Sequence, residues 1–314
     1  MKPFKVVFMG TSDFAVPALK ALQADSVPLL SVVTQPDRPA GRGLSLKASP
    51  VKRAALEMGL SVFQPEKIKT PEAVEFLENL KPDVIIVAAY GQILPSAVLQ
   101  IPTVACLNIH GSLLPKYRGA APIHYAILNG EVESGVTLIY MNEKMDEGDI
   151  LLSEKMAIGS TENTGQLHDR MAELGAQSLL RALDLLAQSK AARTPQEAEK
   201  ATYAPSLKRE QCKIQWNADA SRVVNQVRGL SPWPGAETQW NGKPLKVFSA
   251  QVESNEGSAE TPGMVLSVQK EGITVAALKG RILLKEVQPP GKRRMSAHDF
   301  TLGHPDFKIG EKLT

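Results

Sequence analysis

The sequence predicts an open α/β sheet, Rossmann-like and rich in parallel pairs, with helices on both faces, followed by a smaller β-barrel domain. Three features predict it. The first half alternates short β-rich apolar runs with stretches of helical spacing, the pattern of a parallel sheet with crossover helices. A long amphipathic stretch then gives way to residues 189–206, where apolar periodicity is lost. Beyond it come short β-type runs separated by glycine-containing turns, the spacing of a small barrel of the OB type.

Taken in order, Phe4 to Met9, Leu29 to Thr34, Val84 to Ala89 and Ala105 to Ile109 are continuous apolar runs of the kind buried on both faces of a parallel sheet. Between them, Ala15 to Ala24, Val51 to Met58 and Glu72 to Leu80 carry apolar residues at helical spacing, and Pro50 and Pro71 stand where a proline can open a helix. Gly135 to Tyr140 and Ile150 to Ala157 are two further strands joined by the polar turn Asn142 to Asp149, and Thr164 to Gln188 is a long amphipathic helix. Asp219 to Arg228 is a helix, closed by Ser231-Pro232-Trp233-Pro234-Gly235. Leu245 to Val252, Met264 to Val268, Ile273 to Ala277 and Arg281 to Val287 are the barrel strands, with turns at Gly263, Gly272 and Gly280. The expected division is therefore an α/β domain over residues 1–189, a linker over 190–206 and an OB-like domain over 207–314.

A chain of 314 residues with 43% hydrophobic and 22% charged residues is long enough for two cores and has the composition of a soluble globular protein. It offers no apolar run long enough for a bilayer, and the short run Val6 to Met9 is not a secretory segment, so a cytoplasmic protein without a membrane role is expected. Cys106 and Cys212 are far apart and outside any Cys-x-x-Cys pair, which argues against disulfide or zinc frameworks and leaves both as buried apolar residues. The net charge of +3 is uneven: 20 Lys+Arg against 22 Asp+Glu through Ala204, and 16 against 11 from Pro205 onward. The tail half is the basic one, which suits a polyanion but is equally found in a merely soluble domain.

The strand Ala105-Cys106-Leu107-Asn108-Ile109-His110 is apolar until it presents Asn108 and His110 at its end, two positions apart and so on one face. Ligands of open α/β sheets sit beyond the carboxyl ends of the strands. An Asn that can hydrogen-bond a developing oxyanion and a His that can donate or pass a proton suit acyl transfer. By themselves the two residues are also what a strand end uses to satisfy local backbone groups. Likewise, Asp146 beside glycine in a polar turn is ordinary turn chemistry, and Asp149 is a second carboxylate in the same loop.

The run that follows, Gly111-Ser112-Leu113-Leu114-Pro115-Lys116-Tyr117-Arg118-Gly119, resembles the folate-dependent formyltransferases, whose hallmark is an Asn-x-His strand end leading into Ser-Leu-Leu-Pro and a glycine turn. The resemblance continues in Met145-Asp146-Glu147-Gly148-Asp149-Ile150 and in Gly10-Thr11-Ser12-Asp13-Phe14-Ala15. Gln35 to Gly43 and the basic C-terminal domain resemble the branch that acts on methionyl-tRNA. What the resemblance implies is a catalytic set of Asn108, His110 and Asp146, and folate contacts at Ser112, Leu113, Leu114 and Pro115. It also implies 10-formyltetrahydrofolate as formyl donor with no metal, and initiator methionyl-tRNA as partner, contacted by Arg42.

Residues Gln35 to Arg53 hold Arg38, Arg42, Lys47, Lys52 and Arg53 against the single acid Asp37, a loop able to follow a phosphate backbone or simply to be solvated. Lys292-Arg293-Arg294 is a second basic cluster. Ala88 to Pro95 is a strand end leading into an apolar loop that could receive a flat pterin, with Tyr90 either part of that wall or an ordinary packed aromatic. Gly10 lacks the further glycines of a dinucleotide fingerprint, and no Walker loop occurs. A formyltransferase acting on a small amine, such as glycinamide ribonucleotide or an amino sugar nucleotide, shares the same catalytic set. A non-catalytic RNA-binding protein is the reading from a different class. A monomer is expected.

Overall fold

Val6–Gly10 (β1) and Val84–Ala88 (β6) are five-residue runs buried at every position, as strands covered on both faces must be. With Leu29–Val33 (β2), Val62–Phe63 (β5), Ala105–His110 (β7), Glu133–Tyr140 (β8) and Ile150–Ala157 (β9) they form a seven-stranded sheet in the order β5-β2-β1-β6-β7-β8-β9. The pairs from β5 to β7 are parallel, and β8 runs antiparallel to β7. A separate hairpin joins Arg38–Ala40 (β3) to Ser45–Lys47 (β4). This is the open, parallel-rich sheet that the sequence predicts. The computed structural model describes residues 4–40, 45–257 and 260–314. Arg42 lies outside the described residues.

Two compact units make up the chain. The first comprises residues through Pro122 together with Ser134–Met156 and His168–Ala204; the second comprises Ile123–Glu133, Ala157–Leu167 and Pro205–Thr314. In the first, the helices start where side chains cap them. Ser49 Oγ accepts the Lys52 amide at 3.0 Å ahead of Pro50–Glu57 (α2, after Val16–Ala24, α1), and Thr70 caps Pro71–Leu80 (α3) in the same way. Val7, Met9, Ile85, Val87 and Cys106 on the sheet pack with Ala73, Leu77 and Tyr90 into one core cluster. The chain winds outward from β1 to β2 and β5, then returns to β6 and β7 on the other side, so the strand order reverses between β1 and β6. A ligand crevice belongs at the carboxyl ends of such strands.

Two short helices, Ser96–Leu99 (α4) and Pro122–Leu128 (α5), and the long Thr164–Ala187 (α6) precede the second unit's own elements. There, Ala220–Gly229 (α7) packs on a six-stranded antiparallel sheet: Ala236–Trp240 (β10), Lys243–Ser254 (β11), Val265–Gln269 (β12), Gly272–Ala276 (β13), Arg281–Gln288 (β14) and the short Met295–Ser296 (β15), closed by Ala297–Leu302 (α8). β11 shifts register against β14 at three places, and such bulges bend a long strand so that a small sheet can curl. Val223, Val227, Trp240, Val275, Ile282, Leu284 and Phe300 fill its core.

The sequence reading does not include β5, the β3–β4 hairpin, α8 or β15, all of them too short to carry a periodic signal. Cys106 is buried, and burial pushes its thiol up to about 12; Cys212, expected buried, is instead half-buried at the end of a 3₁₀ turn. No described helix is long and apolar enough to cross a membrane.

Candidate active site

At the carboxyl end of β7, Asn108 is half-buried and His110 is buried. The carboxylate that meets them comes from the loop between β8 and β9. Asp146 Oδ1 accepts from Asn108 Nδ2 at 3.4 Å, and Asp146 Oδ2 lies 3.6 Å from His110 Nδ1. The other ring nitrogen, Nε2, donates to the Tyr117 carbonyl at 3.0 Å, since a carbonyl can only accept. Both ring nitrogens therefore face protein acceptors, and the imidazole has no freedom to turn. Of the two acids in this loop, Asp146 makes these contacts, whereas Asp149 turns its backbone carbonyl to the Tyr140 amide at 2.9 Å.

Several constraints hold Asp146 in place. Its backbone is left-handed at φ 54°, a conformation that Asp tolerates better than most residues. Two positions on, Gly148 presses against β8, and a Cβ there would overlap the Tyr140 carbonyl. Asp146 Oδ2 also accepts from the Gly119 amide at 2.9 Å. A further clasp comes from the residues after α6. Gln196 Nε2 donates to the carbonyls of Asp146 and Gly148, each at 2.8 Å. Its Oε1 receives Arg118 Nε at 3.1 Å and Nη2 at 2.8 Å. The Arg118 side chain is only 5% exposed, and its Nη1 pairs with Glu147 Oε1 at 3.2 Å.

Residues 190–204 strap this arrangement together. Thr194 exchanges backbone bonds with Ile150 at 2.8 and 3.0 Å, and the Arg193 guanidinium lies 3.7 Å over the Tyr140 ring. Thr202 and Ala204 bond to Tyr117, Arg118 and Ala121. Gly119 fits beside this strand only because it lacks a side chain: its φ is 121°, and a Cβ would lie 2.8 Å from the Ala204 carbonyl. Sequence reasoning missed Arg118, Gln196 and Thr202 as site residues. Gln196 lies in a stretch with no periodicity, and no spacing in the sequence connects it to Asp146.

The Ser-Leu-Leu-Pro turn is built differently from what its composition suggests. The Ser112 side chain is fully buried, and its hydroxyl donates to the Lys116 carbonyl at 2.6 Å, closing the turn. Thr137 on β8 pins the same turn, accepting from the Leu114 amide at 3.1 Å and donating to the Ser112 carbonyl at 2.7 Å. Leu114 is buried, while Leu113 and Pro115 remain half-buried. On the other side of Asn108, β6 places Val87 opposite it in register. Past β6 the backbone is left-handed at Ala89 (φ 44°) and Gly91 (φ 89°), both exposed, as is Ile93. Tyr90 turns inward as a packed aromatic, and burial pushes its phenol up to about 12. Its carbonyl accepts from Thr11 Oγ1 at 2.7 Å and from Gln35 Nε2 at 3.3 Å, tying the ends of β1 and β6 together.

Comparison with known proteins bears on this arrangement. A family model described as formyl transferase matches residues 4–183, and one described as formyl transferase, C-terminal domain, matches residues 206–305. The chain is 49% identical over 301 residues to a methionyl-tRNA formyltransferase of Pelotomaculum thermopropionicum, covering 96% of each chain. It is 46% identical over 300 residues to the protein of that name from Bacillus subtilis, covering 95% of this chain and 94% of the other. Among solved structures, HypX from Aquifex aeolicus in complex with tetrahydrofolic acid superposes with a TM-score of 0.65 at 20% identity, over 98% of this chain and 50% of that one. An N-formyltransferase from Helicobacter canadensis, in complex with folinic acid and dTDP-3-aminofucose, gives a TM-score of 0.66 at 18% identity, over 89% of this chain and 98% of the other. At such identities these two structures speak for the fold alone. The two family models and the relatives of nearly equal length agree, and the chain belongs to the formyl transferase family, among the methionyl-tRNA formyltransferases.

Proposed function

We propose that this formyltransferase moves the formyl group of 10-formyltetrahydrofolate to the α-amino group of initiator methionyl-tRNA, with Asn108, His110 and Asp146 as its catalytic residues. What carries the reading is the convergence of these three side chains at the end of β7, within 3.6 Å of one another through Asp146. Near identity in length to relatives that bear this activity in their names supports the acceptor. The basic charge of the second unit suits RNA.

The residues present fit a folate. Exposed Ala89 and Gly91, with Ile93 beyond them, offer a low apolar lip beside Asn108, against which a flat ring system can lie. Half-buried Leu113 and Pro115 supply the facing apolar surface, and Ser112 acts by shaping the turn. The bound folate supplies an activated formyl group.

The amine needs little activation. A free α-amino group has a reference pKa of about 7.7–8.0, and the amine of an aminoacyl ester is less basic still, so much of it is neutral near neutral pH and positioning accounts for much of the rate. As the amine nitrogen bonds to the formyl carbon, charge builds on the formyl oxygen, where the Asn108 amide donates. His110 donates its Nε2 N–H to the same oxygen once the hydrogen bond to the Tyr117 carbonyl opens. Asp146 orients the imidazole and accepts the amine proton through water. The bond from carbon to the folate nitrogen then breaks, and that nitrogen takes up a proton.

Arg42 contacts the tRNA from the basic loop between β3 and β4, and residues 207–314 hold the nucleic acid, with residues 1–189 carrying out the chemistry. The protein works as a cytoplasmic monomer. The deciding experiment incubates the protein with labelled formyl donor and charged initiator tRNA. Label in the methionyl group that falls steeply with salt in the wild type, is lost in Asn108→Ala and is weakened with a shallower salt dependence in Arg42→Ala is the expected outcome. Transfer that survives in Asn108→Ala and Asp146→Ala at the original rate would overturn the assignment.

A further inference from the structure

In the second unit, the loop between α7 and β10 holds up an indole that packs against nothing of its own size. Trp233 is 73% exposed, whereas the other two tryptophans, Trp216 and Trp240, are 6% and 7% exposed in the core. An exposed tryptophan is costly to leave in water, and the indication is stronger when the backbone that carries it is fixed. Here it is fixed on both sides by cations. Arg294 Nη2 donates to the Pro232 carbonyl at 2.6 Å, and Lys246 Nζ donates to the Pro234 carbonyl at 2.8 Å. His124 Nε2 donates to the Trp233 carbonyl at 3.4 Å. The start of α6 holds the near side: Thr164 Oγ1 donates to the Gly229 carbonyl at 2.7 Å, and the Gly165 amide donates to the Ser231 carbonyl at 3.2 Å.

The side chains tied to this loop on both sides are cationic. Arg294 lies 3.5 Å over the Phe248 ring and belongs to the run Lys292-Arg293-Arg294, exposed at all three positions on the turn after β14. Residues 288–296 and 229–236 contain no carboxylate, and among the described residues no acid pairs with the three cations. An aromatic face on a rigid loop, with exposed cations tied to the same loop, is what unpaired nucleotides bind: the base stacks and the phosphate meets the cation.

We propose that Trp233 is a stacking platform for an unpaired nucleotide of the tRNA acceptor, with Lys292, Arg293 and Arg294 facing the adjoining phosphates. The proposal deepens the reading of this enzyme as one that acts on tRNA, and rests on it. Because the other two indoles are buried, Trp233 emission reports the contact directly.

The test has two arms. Titration with a short single-stranded RNA should quench tryptophan emission in the wild type and leave Trp233→Phe unchanged, while a blunt duplex of equal length should quench neither. In the second arm, Trp233→Ala should raise KM for methionyl-tRNA by about 5- to 150-fold, with Trp233→Phe retaining most of the affinity and thermal stability unmoved in both. Lys292→Ala with Arg293→Ala should flatten the salt dependence of log K by about 0.7 per cation. Equal quenching by duplex and single strand, or an unchanged KM in Trp233→Ala, overturns the platform. Failure of the wild type to formylate tRNA overturns the acceptor reading, and the single-strand titration still decides the platform.

Discussion

Gln196 offers the sharpest test of how the Asp146 carboxylate is held, because its two ends do different things. Its amide nitrogen holds the Asp146 and Gly148 carbonyls, and its oxygen receives two bonds from the nearly buried Arg118. Gln196→Leu removes both. Two neutral hydrogen bonds contribute about 0.5–1.5 kcal/mol each, and leaving part of a buried guanidinium unsatisfied costs about 1–3 kcal/mol more, so a loss of about 2–6 kcal/mol follows. Arg118 keeps Glu147, which limits the damage. A shift of Asp146 by an ångström can lower turnover about 100-fold. Gln196→Glu separates the two effects. It preserves an acceptor for Arg118 and loses only the two donated bonds, so stability should fall by about 1–3 kcal/mol, less than in Gln196→Leu. It also sets a carboxylate oxygen against two carbonyls that lose their donor, so kcat should fall about 10- to 100-fold. The assay pairs steady-state kcat and KM with thermal unfolding. Wild-type kcat in Gln196→Glu would refute the claim that the clasp positions Asp146, and wild-type stability in Gln196→Leu would refute the energetic reasoning.

Asn108→Ala should lower kcat about 100- to 1000-fold with little change in unfolding temperature, since the side chain is half-buried and at a strand end; single-turnover formyl transfer measures it. Gly148→Ala should impair both folding yield and activity, because the added methyl meets the Tyr140 carbonyl, and soluble yield with circular dichroism checks this. The Asp13–His168 pair predicts a pH dependence of stability. The hydrogen bond from Asp13 holds His168 above its usual pKa, and the bond from His168 holds Asp13 below its own. The histidine contribution is therefore present below about pH 6.5 and lost as pH rises through the folded value, while the aspartate contribution is present above about pH 4 and lost on acidification. The unfolding temperatures of wild type and His168→Gln should differ most near pH 5 and converge in alkali; a gap that widens in alkali would contradict the sign.

Much of the architecture was legible because it rests on burial patterns. The wholly apolar runs of β1 and β6 and the apolar first half of β7 could hardly be anything but covered strands, and Ser49-Pro50 and Thr70-Pro71 announce helix starts through capping chemistry. Asn108 and His110 were legible as a pair because a strand places alternate residues on one face. Asp146 was not visible from local pattern, since an acid in a turn beside glycine is unremarkable, and only the family resemblance drew it to the strand end. Arg118 and Gln196 stayed hidden because their partnership spans 78 residues and arises from tertiary packing of a segment without periodicity. The Ser112 hydroxyl, a natural candidate for ligand contact, turned inward because the Lys116 carbonyl lies within its reach.

The strap also orders events in time. Strands β1 to β9 are complete by Ala157, but the residue that grips the catalytic loop lies 39 positions further along, after the whole of α6. A ribosome releasing this chain from the amino end first therefore yields a finished sheet before it yields a finished site. A fragment ending at Gln188 carries Asn108, His110 and Asp146 and still lacks the amide that fixes one of them. Completion of the site is thus gated by chain length as well as by composition, and an unfinished copy of the enzyme carries the three proposed catalytic residues before it can align them.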